Sequence, residues 1–380
     1  MSDFMVSDED LLLKKEVRRF AVNELEPYAS EIDCLGKFPR KNIEGLAELG
    51  LTGLTIDEKY GGVGGTNKQL AIVAEEIARG CGSTSVIFLA HLSLCTQFIN
   101  TYGTEEQKVK YLSDLVTAKS IGAFGLTEPD AGSDSARITT SLSEIGDGYV
   151  LNGTKLYTTN AKEADIFIII ANKHPQLNRS GIVGIILERG TDGFIINPQS
   201  GKMGMKGSST AELVFSNAPV SKKNIIGEGV DGFKNLMDIL NGSRIGIAAQ
   251  GVGLAQAAYD VSVSYAKQRS AFGRKLSEFQ AIQWMIADMA TEIEASRMLV
   301  YKAAEYKDSN IKYIKEASMA KLMSSKVAVE SANKAVQIHG GLGYFAPTVA
   351  ERLYRDSKVT EIYEGTSEVQ RMIISRDALK

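Results

Sequence analysis

Residues 121–134 of this 380-residue chain, Ile-Gly-Ala-Phe-Gly-Leu-Thr-Glu-Pro-Asp-Ala-Gly-Ser-Asp, mark the point where a helical pattern gives way to a β pattern. The stretch begins as a short apolar run and is then broken by Thr, Pro, Gly and Ser residues. Such a sequence predicts a strand that ends in a loop suited to holding a polar ligand.

Helical periodicity precedes this stretch, over residues 1–119. Ser7 is a suitable N-cap for a first helix in which Leu13, Val17 and Phe20 share one face. Further helices are predicted at Lys41–Leu49, Gln69–Arg79, Ser85–Tyr102 and Glu105–Val116. We therefore expect an N-terminal helical domain that ends near residue 119.

Runs of β-branched and apolar residues, separated by turn residues, follow over residues 120–222. Asn152-Gly153 favours a type I′ turn because both residues tolerate positive φ. The flanking Tyr149–Leu151 and Thr154–Tyr157 would then pair as a hairpin. Further strands are predicted at Ala164–Ala171, Gly181–Glu188 and Ala211–Ser216. This middle part is expected to be a compact antiparallel β domain.

Long helical segments with short connections return in residues 223–380. They are predicted at Gly232–Ser243, Gly246–Gln268, Ser277–Tyr306 and Asn310–Ile338. We expect a C-terminal four-helix bundle, which makes the whole chain an α+β protein that is mainly α. Long apolar helix faces of this kind also suit contacts between subunits.

Composition excludes several classes of function. A net charge of −3 gives no electrostatic reason to expect nucleic acid. The three cysteines, Cys34, Cys81 and Cys95, have no metal-ligand spacing, and the three histidines lie far apart, so we expect no metal site. The acidic N-terminus does not resemble a signal peptide, and no uninterrupted apolar stretch is long enough to insert into a membrane. A soluble, cytoplasmic protein is expected.

A second informative stretch is residues 361–371, Glu-Ile-Tyr-Glu-Gly-Thr-Ser-Glu-Val-Gln-Arg. Glu364 stands directly before Gly365 and Thr366, where the backbone can turn closely around a bound group. Glu361, Glu364 and Glu368 also have helical spacing, and a solvated charged face is the usual explanation for such a run. From the residues alone, both interpretations stay open.

Together with four other segments in chain order, these two stretches resemble the acyl-CoA dehydrogenase family. The other segments are Tyr60–Gly65, Gln268–Gly273 with the following Phe279-Gln280, Gln337–Tyr344 and Glu351–Asp356. The resemblance covers nearly the whole chain. It is nearest to the short-chain, or butyryl, branch, both at residues 361–368 and at Ser208-Ser209-Thr210-Ala211.

The resemblance implies a flavoenzyme in which Glu364 removes the α-proton of an acyl thioester and FAD accepts the β-hydrogen as hydride. The thioester oxygen would be held by the backbone N–H of Glu364 and a ribityl hydroxyl of FAD. Substrate contacts are expected from Ser133, Asn241, Arg244 and Gly365. Some relatives carry the base in the position of Ser243, just before Arg244. Many relatives carry Asp where this chain has Asn241.

A larger set of residues matches flavin contacts of the family, with Tyr157 replacing a frequent Trp. The set is Phe124, Leu126, Thr127, Gly132, Ser133, Tyr157, Thr159, Arg269, Phe272, Gln280, Gln337, Gly341, Thr366 and Glu368. Arg269 and Gln280 would complete the FAD site of a neighbouring subunit, which implies a homotetramer. Electrons would pass to an electron-transferring flavoprotein.

Several alternatives stay open. An enoyl-CoA reductase, or a dehydrogenase for alicyclic or branched acyl-CoA, would use the same residues; a non-catalytic flavin or CoA scaffold and an oxidase are more distant possibilities. His91 lies on the helix that the resemblance places at the far end of the acyl pocket, and a packed, hydrogen-bonded histidine is the expected interpretation. Residues 341–346 match the pattern G-x-G-x-x-A but follow a helical segment, so no Rossmann domain is expected.

Overall fold

The computed structural model describes residues 6–174, 179–226 and 232–380. The N-terminal part is helical, as predicted. Its helices are α1 (Asp8–Phe20), α2 (Ala29–Leu35), α3 (Arg40–Glu48), α4 (Asn67–Gly80), α5 (Gly82–Leu89), α6 (Gln97–Tyr102) and α7 (Glu105–Val116). The expected N-cap is confirmed, because Ser7 and Asp10 form a reciprocal capping box.

One continuous helical stretch, Gly82–Tyr102, combines α5, a π-helical segment at Ala90–Thr96, and α6. Among the described helices it is the one long and apolar enough to cross a membrane, and 89% of its most apolar window is buried inside the protein. Helices in the core of globular proteins meet the same criterion. The stretch contributes buried side chains such as Phe88, Leu92 and Phe98 to the core.

The middle part is a sheet with strand order β6-β7-β3-β2-β4-β5-β8, and β1 pairs in parallel with β4. The strands are β1 (Gly122–Gly125), β2 (Ser141–Ile145), β3 (Gly148–Thr159), β4 (Ile166–Asn172), β5 (Ile182–Glu188), β6 (Phe194–Pro198), β7 (Thr210–Val220) and β8 (Ile225–Ile226). Most pairs are antiparallel, as expected, and a single bridge between β2 and β4 is also parallel. The loop that follows β1, where the ligand loop is predicted, is tied to β3 by a backbone hydrogen bond.

The predicted hairpin at Asn152-Gly153 is wrong, because both residues lie inside the long strand β3. The register against β7 shifts between Leu151 and Gly153, so the glycine marks a β-bulge. A Cβ on Gly153 would lie 2.6 Å from Thr140 Oγ1, which explains why a residue without a side chain is needed there. The turn between β2 and β3 instead uses Gly146 and Asp147.

The C-terminal part contains three long helices that pack on one another, with α8 also packing on α4. Its helices are α8 (Gly232–Gln268), α9 (Gln280–Asp308), α10 (Ile314–His339), α11 (Val349–Lys358) and α12 (Ser367–Ala378), and a short hairpin of β9 (Ser270–Ala271) and β10 (Arg274–Lys275) joins α8 to α9. The helical domain is confirmed. The domain boundaries at residues 119 and 222 stay predictions.

The predicted helix break between Ser243 and Gly246 is wrong, since α8 runs through both positions. The glycines there serve close packing. A Cβ on Gly242 would lie 2.4 Å from Lys307 Nζ, and one on Gly246 would lie 2.7 Å from Leu89 Cδ2. Packing against neighbouring helices thus outweighs the low helix propensity of glycine.

Candidate active site

Glu364 lies in a tight loop between α11 and α12. A 3₁₀ turn at Val359–Glu361 precedes the loop, and Thr366 caps α12 by accepting a hydrogen bond from Val369 N at 3.4 Å. Glu364 has a φ of 56° and Gly365 a φ of 92°, both in the left-handed region. For a residue with a side chain, this conformation costs about 1–3 kcal/mol and persists only where the surroundings hold it, as at functional sites.

Side chains from three helices hold the two carbonyl groups of this loop. Arg244 on α8 donates from Nε to the Glu364 oxygen at 3.2 Å, and Lys321 on α10 donates from Nζ to the Gly365 oxygen at 2.9 Å. Gln370 on α12 donates to the same Gly365 oxygen at 2.8 Å. These bonds fix the direction in which the Glu364 side chain leaves the backbone.

The carboxyl group of Glu364 is held separately. Ser243 Oγ donates to Glu364 Oε2 at 2.8 Å. Burial raises the pKa of Glu364 above its ordinary value, although the Ser243 hydrogen bond and the charges of Arg244 and Lys321 oppose that effect. A carboxylate whose pKa is raised toward neutrality is a better acceptor of a carbon-bound proton than an ordinary one.

Asn241 and Arg244, both predicted to contact substrate, contact each other on one face of α8. Arg244 Nη1 donates to Asn241 Oδ1, and both side chains are buried. Asn241 therefore presents its acceptor oxygen to the arginine. The arrangement leaves Arg244 with one partner on its own helix and one on the Glu364 loop.

Sequence reasoning missed Lys321, Gln370 and Gln250 as members of this cluster. The signal for Lys321 was present, because it stands on the buried face of α10 with Ala317 and Ser324. A lysine in such a position needs a polar partner. Gln250 hydrogen-bonds the Tyr363 hydroxyl, and neither it nor Gln370 shows a distinctive sequence pattern.

The β domain presents a second group of predicted residues, positioned by a buried ion pair. Lys155 Nζ lies 2.7 Å from Glu128 Oε1 and donates to Leu126 O at 3.1 Å. Burial alone would raise the pKa of Glu128, but Lys155 and hydrogen bonds from Thr139 and Thr140 lower it to about 2. The pair fixes the backbone at the end of β1. Sequence reasoning did not assign Glu128 a role.

Leu126 and Thr127 follow β1, and both are hydrogen-bonded to residues of β3 that directly precede Tyr157. Leu156 N donates to Thr127 O at 2.7 Å, which ties the loop after β1 to β3. Tyr157 has a φ of 56° at a register shift between Lys155 and Thr158, and its side chain is 67% exposed. The sheet irregularity thus turns an aromatic ring out of the strand, with Thr159 two residues further along.

Phe124, Gly132 and Ser133 complete the predicted set in the β domain. Phe124 is buried and lies 5.8 Å, centroid to centroid, from the ring of Phe98 on α6. Gly132 and Ser133 are exposed in the loop after β1, and a Cβ on Gly132 would have nothing within 4 Å. The structure therefore places Phe124 in the core and keeps the other two open to a ligand.

A third group of predicted residues lies on the exposed surface of the single chain. Phe272 is 96% exposed at the tip of the β9–β10 hairpin, where it has a φ of 52° and Gly273 a φ of 83°. The other members are Arg269, Gln280, Gln337 and Gly341. Thr366 and Glu368 belong to the start of α12, where Thr366 is the N-cap and Glu368 is exposed.

His91 is a packed histidine, as expected. Its Nδ1 accepts from Gly122 N at 3.0 Å, and its Nε2 donates to Leu115 O at 2.9 Å. Burial lowers the pKa of His91 to about 4, so the ring is neutral at physiological pH. Both ring nitrogens are engaged by the backbone, which assigns His91 to the core.

The residues around Tyr157 fit a planar polar ring system such as a flavin. An aromatic side chain held outward by a strained backbone offers a face or edge to such a ring. The tethered backbone at Leu126–Thr127 and the open loop at Gly132-Ser133 supply polar groups beside it. Nothing in this group requires a metal ion.

Comparison with protein families gives three matches in chain order. The acyl-CoA dehydrogenase N-terminal domain matches residues 7–119, the middle domain residues 123–218, and the C-terminal domain residues 230–379.

Curated relatives of similar length support these matches. The short-chain specific acyl-CoA dehydrogenase of Clostridium acetobutylicum is 46% identical over 373 residues, covering 98% of each chain. The acryloyl-CoA reductase (NADH) of Anaerotignum propionicum is 44% identical over 380 residues, covering 100% of this chain and 96% of the relative.

Solved structures agree over the full length. Butyryl-CoA dehydrogenase from Megasphaera elsdenii is 41% identical with a TM-score of 0.96, and the two chains cover each other by 100%. A chain solved in work on the electron transferring flavoprotein of Acidaminococcus fermentans and flavin-based electron bifurcation is 42% identical, with a TM-score of 0.97 and 100% coverage of both chains.

Proposed function

The chain is an oxidoreductase that belongs to the acyl-CoA dehydrogenase family, and we propose that it converts a short-chain acyl-CoA to the 2-enoyl-CoA with Glu364 as the base. The observation that carries this proposal is the carboxyl group of Glu364, held on a left-handed backbone by Ser243, Arg244 and Lys321. A solvated face, the alternative interpretation, would not need such a scaffold.

In the proposed reaction Glu364 removes the α-proton of the thioester, and its own backbone N–H holds the thioester oxygen. Burial raises the pKa of Glu364, which makes it a better proton acceptor, and the same exclusion of water strengthens the hydrogen bond to the developing enolate. FAD, when bound, would supply the acceptor for the β-hydrogen as a hydride, with flavin N5 as the proposed acceptor atom. Arg244 and Lys321 keep the loop rigid while the proton passes from the substrate to the Glu364 carboxylate.

FAD would be held by the predicted residues of the β domain, by those on the exposed surface of the C-terminal part, and by Thr366 and Glu368 at the start of α12. Tyr157, Leu126 and Thr127 would line the flavin ring, and Ser133 would face both flavin and CoA. Arg269 is suited to a pyrophosphate because its guanidinium can donate two parallel hydrogen bonds. The remaining contacts are proposed for Phe124, Gly132, Thr159, Phe272, Gln280, Gln337, Gly341, Thr366 and Glu368.

A short acyl chain is proposed because the helices that would bound the pocket touch directly. Leu89, on the stretch that also carries His91, packs against Gly246 of α8. Gly246 lies on the same helix as Ser243, three residues further along. Leu89 would then limit the depth of the acyl pocket beyond the base, in keeping with the short-chain and butyryl-CoA relatives.

A second candidate function is enoyl-CoA reduction, and the acryloyl-CoA reductase relative favours it. The same base and the same flavin serve in reverse, so Glu364 would donate the α-proton. The arrangement around Glu364 supports both directions.

We also propose a homotetramer and electron exchange with an electron-transferring flavoprotein. The exposed Arg269, Phe272 and Gln280 would complete a neighbour's FAD site. The structural relative solved in work on an electron transferring flavoprotein supports that kind of partner.

The test is anaerobic mixing of the purified yellow protein with a panel of acyl-CoAs while the visible flavin band is recorded. Bleaching by butyryl-CoA is the expected result. Bleaching by a branched or alicyclic acyl-CoA alone would overturn the short straight-chain assignment. Reoxidation of reduced flavin by an enoyl-CoA, without bleaching by saturated thioesters, would favour the reductase. Failure in both directions would overturn the enzymatic proposal.

A further inference from the structure

The Ser243 hydroxyl has two acceptors within reach. Its Oγ lies 2.8 Å from Glu364 Oε2 and 3.1 Å from Leu240 O, three residues back on α8. A serine hydroxyl carries one hydrogen and two lone pairs, so it can donate to only one of these oxygens at a time and can still accept. Ser243 is 4% exposed, which keeps bulk water from competing for either position.

We propose that Ser243 is a positioning residue that follows Glu364 through its change of protonation state. With Glu364 ionised, the serine hydrogen points to Oε2. When the substrate Cα–H bond breaks, its electron pair stays with the substrate and the proton forms an O–H bond at Oε2. That O–H then donates to Ser243 Oγ, and the serine hydrogen turns to Leu240 O. The inference rests on the proposed function of Glu364 as the base.

Other polar groups face this loop, but they engage different atoms. Arg244 from α8 and Lys321 from α10 donate to backbone carbonyls of the loop. Tyr363, the preceding residue, bonds to Gln250, while the charges of Glu361 and Glu368 act on Lys321, whose pKa they raise. Within residues 6–174, 179–226 and 232–380, Ser243 is thus the side chain that hydrogen-bonds the Glu364 carboxyl group itself.

The change of hydrogen-bond partner at Ser243 predicts the direction in which the pH profile of kcat/KM should move when the serine is replaced. The bond from Ser243 to an ionised carboxylate is charge-assisted and therefore stronger than the bond it makes to the neutral acid. Its loss should raise the pKa of Glu364, so a higher pH is needed to ionise the base. In Ser243→Ala we expect the acid limb of kcat/KM to move to higher pH by about one unit. Ser243→Thr retains the hydroxyl and should keep the limb near its original position.

The experiment compares kcat/KM profiles of the flavin-loaded protein, Ser243→Ala, Ser243→Thr and the control Ser262→Ala. Ser262 is also buried on α8 and donates to Ala258 O, so the control loses a buried serine with a similar backbone bond far from the loop. A shifted limb in Ser243→Ala alone is the expected result. An unshifted limb in a Ser243→Ala protein with normal flavin content would overturn the proposal, as would an equal shift in Ser262→Ala.

A second readout separates this inference from the proposed reaction. Infrared difference spectra across a pH titration report the carboxylic acid of Glu364, assigned by its absence in Glu364→Gln. The band should titrate at higher pH in Ser243→Ala, whether or not any acyl-CoA is turned over. A titration that does not move would overturn the role of Ser243, whereas inactivity toward every thioester would overturn only the proposed reaction.

Discussion

The loop that carries Glu364 is held by residues that lie far apart in the sequence. Glu364, Asn241 and Arg244 stand in two recognisable stretches of sequence. Lys321 and Gln370 join them only because α10 and α12 cross the loop in space. The left-handed backbone of Glu364 is likewise a consequence of those contacts, since nothing local in a glutamate favours it.

Replacing Lys321 should show how much turnover depends on the hydrogen bond that holds the Gly365 oxygen. Lys321→Met should remove the bond to the Gly365 oxygen and let the loop relax, lowering kcat about tenfold while flavin content stays normal. Steady-state kinetics of the purified variant measure this. Lys326→Met is the matched control, because Lys326 lies on the same helix in an exposed pair with Glu330. Equal kcat in both variants would show that the hydrogen bond from Lys321 to the Gly365 oxygen is not needed for turnover.

At the scale of elements, periodicity located the helices of the N-terminal part closely and erred where packing decides the outcome. Asn152-Gly153 has the composition of a turn, yet both residues lie within β3. A glycine is required there because a Cβ would clash with Thr140. The same reason explains why Gly242 and Gly246 do not interrupt α8. A sequence shows that a glycine is present, but only the neighbouring element shows whether it serves a turn or a close contact.

The Glu128–Lys155 pair gives a prediction at this scale. The pKa of Glu128 in the folded protein is about 2, below its ordinary 4.5, so its contribution to stability is present above the ordinary pKa and is lost as pH falls through about 2. Glu128→Gln leaves Lys155 buried without its counter-charge and should destabilise the β domain by about 3 kcal/mol at neutral pH.

Thermal unfolding across pH checks both parts of this expectation. The variant should have a lower Tm at neutral pH than the unmodified protein, and its Tm should fall less as the pH is lowered. Glu144→Gln, at an exposed position of β2, serves as the control. A Tm equal to that of the control would contradict the role of the ion pair in holding the end of β1.

For the whole molecule, exposed aromatic residues indicate what the single chain leaves uncovered. Phe272, Tyr344, Phe345 and Trp284 are all largely exposed on the C-terminal helical part. Contiguous exposed apolar side chains mark interaction sites, and the rings of Tyr344 and Phe345 lie 6.2 Å apart, centroid to centroid. The contact roles of Arg269 and Gln280 stay predictions from the sequence, whereas the exposure of the four aromatic side chains is known only from the fold.

The assembly prediction follows from that surface. The flavin-loaded protein should have the mass of a homotetramer by light scattering coupled to gel filtration. Arg269→Ala should lower the retained flavin several-fold because a bidentate pyrophosphate contact is lost, while Lys267→Ala, also exposed near the end of α8, should not. A monomer that retains a full complement of flavin would contradict the shared site.

A single anaerobic turnover of Glu364→Gln tests whether Glu364 moves the α-proton. Glutamine keeps the size and the bond to Ser243 but cannot accept a proton at neutral pH. We predict that the variant binds flavin and butyryl-CoA normally, while the rate of flavin bleaching falls by about 10²–10⁴-fold. Glu361→Gln breaks the pair with Lys358 but leaves the Glu364 carboxyl group in place, so this control should bleach at a rate close to the original. Bleaching of Glu364→Gln at a rate close to that of the unmodified protein would show that Glu364 is not the base.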